Sequence, residues 1–209
     1  MSLSNTGGGG RGSNKDSIIG DVIMHGKKKY WERGGNYHYH RGMKAGENTL
    51  ELIISRKVFM ESITASGGQL NSADIIDRYV TLMTTPGSHN DTYAGTCHRM
   101  FFANRENGLP LDKCPDNDGH NVDTIDGLVN LTPIVISNLG KGKDAVESSV
   151  KESLALFRKS AVLPQFGTLY ASMLSSVLSG ADLRETLVAG GRAMQVDVAA
   201  SAGRSDPMT

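Results

Sequence analysis

Neither sign of charge is in excess. Lys and Arg number 22, Asp and Glu number 22, and the formal net charge is zero. Nucleic-acid binders normally carry a basic surplus, so the balance argues against that class. Cysteine is scarce. Cys97 and Cys114 alone make no disulfide framework, and a reducing, cytoplasmic setting is the expectation. Long hydrophobic runs are missing too. No apolar stretch approaches the roughly 18 residues of a membrane span, and mean hydropathy is -0.28. The opening MSLSNTGGGGRGSNKDS contains no apolar core of a secretory signal. Glycine, by contrast, is plentiful at 25 residues, helped by the run Gly7–Gly10. The 209 residues fit one domain, or slightly more, and can bury a core without disulfide or metal support.

Residues 1–17 read as a flexible leader that cannot pack, and 18–46 as irregular and basic. Within the latter, Tyr37 to His40 alternate at period two, as an extended segment would. Helical spacing begins after Thr49, where Leu50, Ile53, Ile54 and Val58 share a face up to Gly67-Gly68. A second helix is predicted from Asn71-Ser72, burying Ile75, Ile76, Tyr79, Val80 and Met83. A third is predicted from about Asp91, with Tyr93, Cys97, Met100 and Phe101 on one side. Asn107 to Gly119 reads as a loop. Further helices are predicted from near Asp123, with Pro133 kinking or breaking it, and from a capping-box-like Asp144…Glu147. Pro164 opens another that ends at Gly180, and Asp182 starts the last, through Leu183 and Leu187. Residues 196–209 read as a frayed tail. No run of strands or fixed repeat is visible, so the expected fold class is all-α.

Three polar clusters precede helices. Glu47-Asn48-Thr49 offers a carboxylate, an amide and a hydroxyl, all oxygen donors suited to Mg²⁺. The same residues also suit simple helix capping. Ser88-His89-Asn90-Asp91 has the same two readings. Asp116 to Gly127 resembles a calcium loop at its start, but lacks the closing Glu. A polar loop running into a helix suits an anion through free N–H groups. His89, Cys97, His98, Cys114 and His120 lack the spacings of a zinc motif. Cys97 is expected in the core, and Lys27–Lys29 in a solvated charge run.

YHYHRGMKAGENTLE (Tyr37 to Glu51), TTPGSHNDTYAGTCHRMFFAN (Thr84 to Asn104) and HNVDTIDGLVNLTP (His120 to Pro133) together resemble the ADP-ribosylglycohydrolase family, on its ADP-ribosyl-crystallin-like branch. The resemblance spans roughly residues 18–195. It implies an orthogonal multi-helix bundle, here incomplete and shortened at both ends. It also implies Mg²⁺-assisted hydrolysis of the bond between ADP-ribose and a protein side chain or small leaving group. The partner would be ADP-ribose or an ADP-ribosylated protein. By resemblance, Glu47, Asn48 and Thr49 take the first metal position, with Asn48 replacing an acid. Glu47 is also the best carboxylate to act as base; Asp91 and Asp123 are lesser candidates for metal. His120, Asn121, Asp123, Thr124 and Gly127 would cradle the diphosphate. Gly20-Asp21 is the one match to the family's early Gly-Asp motif. No second metal motif follows Met194, and Phe157-Arg158 stands where a Thr-His pair is common. These departures leave open a non-catalytic ADP-ribose-binding or crystallin-like scaffold.

Overall fold

The computed structural model describes residue 22, residues 40–116 and residues 122–195. The leader, Gly20-Asp21, Tyr37 to Tyr39, His120, Asn121 and the tail lie outside them. Every regular element among the described residues is helical. None is long and apolar enough to cross a membrane.

α1 (Leu50–Ile54) runs without a break through a π turn, Ser55–Met60, into α2 (Glu61–Ala65). The predicted apolar face is buried at Leu50, Ile54 and Val58. Gly67 and Gly68 then close α2: the Gly67 N–H bonds the Thr64 carbonyl and the Gly68 N–H the Ile63 carbonyl. Both glycines have positive φ, which lets these last carbonyls find donors at no steric cost. Gly180 and Ala181 close the helix Leu163–Leu178 by the same geometry on Val177 and Ser176.

α3 (Ser72–Thr84) starts where expected, with Asn71 accepting the Asp74 N–H at 3.1 Å. Its buried stripe is Ile75, Tyr79, Leu82 and Met83. Full burial of such side chains contributes about 1.5–3 kcal/mol each. α4 (Thr96–Glu106) begins five residues later than the sequence suggests. The polar run at Asp91 is a loop, and Asp91 caps a different helix, as described below. Every α4 residue from Thr96 to Asn104 is buried. A helix enclosed on all sides shows little amphipathic period, so its start is hard to read from spacing.

A 3₁₀ turn, Leu111–Lys113, interrupts the predicted loop. The helix expected near Asp123 is only a second 3₁₀ turn, Ile125–Leu128, with Ile125 exposed. α5 (Leu131–Ser137) follows it. Pro133 neither kinks nor breaks this helix, because it sits in the first turn, where an N–H has no intrahelical partner. α6 (Lys143–Ala155) starts one residue ahead of Asp144, from Gly142 at φ 89°, and Asp144 makes no capping bond. α7 (Leu163–Leu178) has Pro164 in its first turn, and α8 (Leu183–Ala193) is capped by Asp182 through the Glu185 N–H.

α5, α6 and α7 pack on one another, and α5 also packs on the π turn. Gly167 makes the approach of α7 possible, since a Cβ there would lie 2.8 Å from Leu154 Cδ1. Three of the five phenylalanines, Phe101, Phe102 and Phe157, contact Tyr79, and Phe59 joins them edge-on against Phe157. Tyr79 and Phe157 are the nearest pair, with centroids 4.2 Å apart. α8 leaves Leu183 and Leu187 exposed and reaches α7 through Gly190.

Candidate functional site

Two polar groupings meet the first two residues of α1, Leu50 and Glu51. The outer one is built on its free N–H groups. Thr49 occupies the N-cap backbone conformation, but its hydroxyl makes no capping bond. Asp91 takes that role from 41 residues away, accepting the Leu50 N–H at 2.8 Å. Its other oxygen accepts the Tyr93 N–H at 3.0 Å and meets His40 Nδ1 at 2.6 Å. A buried carboxylate at a helix N-terminus is favourable both as a bond acceptor and against the helix dipole. Glu47 is exposed, and its Oε2 accepts the Lys44 N–H at 2.7 Å and the Asn90 amide at 2.8 Å. The first two sequence clusters therefore meet in space.

The inner grouping was not singled out from sequence. Glu51 Oε1 lies 2.7 Å from His98 Nε2, and His98 Nδ1 lies 2.7 Å from the Tyr79 hydroxyl. Burial alone would lower the His98 pKa. Cys97, Tyr79 and Glu51 around it outweigh that and hold it well above the ordinary imidazole value. As imidazolium, both ring nitrogens donate, to Glu51 and to the Tyr79 oxygen. Burial pushes the Tyr79 phenol up. Arg158, 3 % exposed, donates to Asp126 Oδ1 at 2.9 Å and lies 3.8 Å from Glu51 Oε1. Burial raises the pKa of Asp126, but Arg158, through its charge and hydrogen bond, and Thr124, through its hydroxyl, pull it below the usual carboxylate value. Two carboxylates thus face two cations in a largely buried network. Asn130 Nδ2 approaches Glu51 Oε2 at 3.5 Å, while its buried Oδ1 has no hydrogen-bond partner.

This network also fixes the third cluster. Thr124 donates to Asp126, and Arg158 contacts the Val122 carbonyl and the Thr124 hydroxyl, each at 3.4 Å. Ser55 on the π turn donates to the Val129 carbonyl at 3.2 Å. Asp123 is exposed beside these contacts. Gly127 is buried because a Cβ there would sit 2.8 Å from Leu163 Cδ2 and 3.1 Å from the Arg158 guanidinium. That close packing accounts for the glycine. His120 and Asn121 lie outside the described residues.

The Mg²⁺ that the resemblance implies would take hard oxygen donors. Exposed Glu47 and Thr49 flank Asn48 and offer a carboxylate and a hydroxyl, which suits a hard cation. Asp91 suits one poorly, since both its oxygens receive N–H donors. Glu51, Arg158 and Asp126 were missed because their meaning comes from contacts between distant segments. The one available signal was Arg158 at the position of the family's Thr-His pair. Comparison with family models, with curated proteins and with solved structures finds no match.

Proposed function

We propose that this chain is an ADP-ribosylglycohydrolase-like hydrolase domain acting on the glycosidic bond of ADP-ribose. What supports the reading is convergence. The three segments that carry the resemblance are far apart in sequence, yet Glu47 meets Asn90, Asp91 meets Leu50, and Arg158 links Asp126 to Glu51. Cleavage at the ribose anomeric carbon develops oxocarbenium-like charge. Mg²⁺ held by Glu47, Asn48 and Thr49 would supply Lewis acidity at the ribose oxygens. Glu47, an exposed carboxylate, would accept a proton from the attacking water. Asp123, Thr124, His120 and Asn121 belong to the segment that would receive the diphosphate, beside the buried Gly127.

A specific observation favours a second reading. Asp91 is occupied as a helix cap, and Glu47 is then the one charged ligand left in the motif. A domain that binds ADP-ribose without cleaving it, or a crystallin-like scaffold, fits that arrangement. Thermal shift with ADP-ribose, AMP and phosphate tests binding, since a ligand of the folded state raises Tm by mass action. Release of ADP-ribose from modified arginine and serine peptides, with Mg²⁺ and with EDTA, tests turnover. EDTA-sensitive release that Glu47→Gln abolishes supports the hydrolase. Binding without release supports the second reading, and no shift with ADP-ribose rejects both nucleotide readings.

A further inference from the structure

We infer that Glu51, Cys97 and His98 form a site for a soft or borderline divalent ion such as Zn²⁺. It is distinct from the exposed oxygen donors at Glu47–Thr49. One ligand atom from each of the three residues lies within 4.8 Å of the other two. Sulfur, imidazole nitrogen and carboxylate oxygen together are a donor set that selects zinc-like ions over Mg²⁺.

The geometry needs little adjustment. Glu51 Oε1 and His98 Nε2 are 2.7 Å apart. Tetrahedral legs of about 2.0–2.1 Å place two such atoms about 3.3 Å apart, so the pair must open by about 0.6 Å. Cys97 and His98 are fully buried, while the Glu51 side chain keeps 15 % of its exposure, which gives the ion an entry side. The Tyr79 hydroxyl on His98 Nδ1 holds the ring from behind, as outer partners of metal-bound imidazoles do. Asn130 adjoins the cluster through Glu51. It is 5 % exposed, its amide touches Glu51, and its Oδ1 lacks a donor. Three protein ligands leave a fourth position for water, and Asn130 leaves an unsatisfied buried acceptor next to Glu51.

Arg158, 3.8 Å from Glu51, does not forbid the ion. Metal ligands bind in their deprotonated forms, so protons are released as the ion enters and offset its charge. Spacing rules missed the cluster because two ligands are adjacent and the third is 46 residues upstream of Cys97.

The test is titration of the reduced full chain with Cd²⁺ and Co²⁺, followed by thiolate-to-metal charge transfer and cobalt d–d absorption. We expect one ion per chain, a thiolate band lost in Cys97→Ser and kept in Cys114→Ser, and displacement by Zn²⁺ but not by excess Mg²⁺. Glu51→Gln should weaken binding by more than about tenfold, the lower end of what even outer partners contribute. Glu47→Gln should leave the band unchanged, which separates this site from the Mg²⁺ reading. Cadmium NMR of the unmodified chain counts sulfur donors even if a variant does not fold; one sulfur is expected. No band in the unmodified chain, a band that survives Cys97→Ser, or a cadmium shift without sulfur overturns the inference.

Discussion

Removing the Arg158 charge while keeping its stem should be costly. Arg158→Met retains an unbranched apolar side chain, so packing on Gly127 changes little. It strands Asp126 and leaves Glu51 with His98 as its near cation. Taking one partner from a buried ion pair typically costs 3–5 kcal/mol. Here Asp126 keeps 32 % of its side-chain exposure and Glu51 keeps 15 %, so water compensates in part. The expected loss is therefore at the low end, about 3 kcal/mol, against a whole-domain stability of about 5–15 kcal/mol. Urea unfolding measures it, with an unchanged m-value required for the comparison. The same substitution in an Asp126→Asn background should cost at least about 1 kcal/mol less, because contacting charges are not additive. A loss below about 1 kcal/mol, or full additivity, would refute the view that this pair anchors the 122–130 segment.

Other outcomes follow from the same contacts. Asp91→Ala should destabilise by about 1–2 kcal/mol in urea unfolding, as loss of a helix cap does, and Asp91→Asn by less. Gly167→Ala should lose about 1–3 kcal/mol, offset by up to about 1 from helix propensity, because Leu154, Leu131 and Val150 surround the new methyl. Gly190→Ala should be closer to neutral in the same assay, since the nearest atom is the flexible Met173 sulfur. The His98 pKa is raised on folding, so its contribution is complete below the unfolded value of about 6.5 and is lost as pH rises through the folded one. Asp126 is depressed, so its contribution is present above about pH 3.9 and lost as pH falls through its folded value. Urea midpoints across pH should show a weaker alkaline decline in His98→Gln and a weaker acid decline in Asp126→Asn.

Local chemistry was legible where a residue acts on its own helix. Asn71, Asp182, Pro164 and Gly180 all do at their helix ends what the sequence suggests. The apolar faces of α1 and α3 were equally plain. Reading failed where the partner is remote. Asp91 looked like the start of its own helix, but it caps Leu50. The stretch from Asp123 read as a helix, yet Ile125–Leu128 is a single 3₁₀ turn tied by Thr124, Asp126 and Arg158. The last helix runs through Leu183 and Leu187 as expected, but both are exposed and α8 meets α7 at Gly190 instead. The candidate site divides the same way. Glu47 and Asp91 stood out beside polar neighbours, whereas Glu51 read as one more residue on a helix surface.

The π turn Ser55–Met60 sets the phase between the two halves of the first long helix. A π turn holds one residue more than the α-turn it replaces. By absorbing that extra residue, the turn keeps Leu50 and Ile54 before it, and Ile63 after it, all facing inward. Each residue of an α-helix advances about 100° around the axis. Deleting one of the exposed residues Arg56 or Lys57 would relax the turn to ordinary α-helix and leave the solvent side nearly unchanged in composition. The flanks would keep their phase, because the turn and the residue it absorbs are lost together. An inserted residue carried as α-helix would instead swing everything upstream by about that angle relative to Ile63, taking Glu51 from His98 and Leu50 from Asp91. A one-residue insertion on the outer surface of this helix would therefore act as a lesion in the buried network, whereas a deletion or substitution at the same place would not.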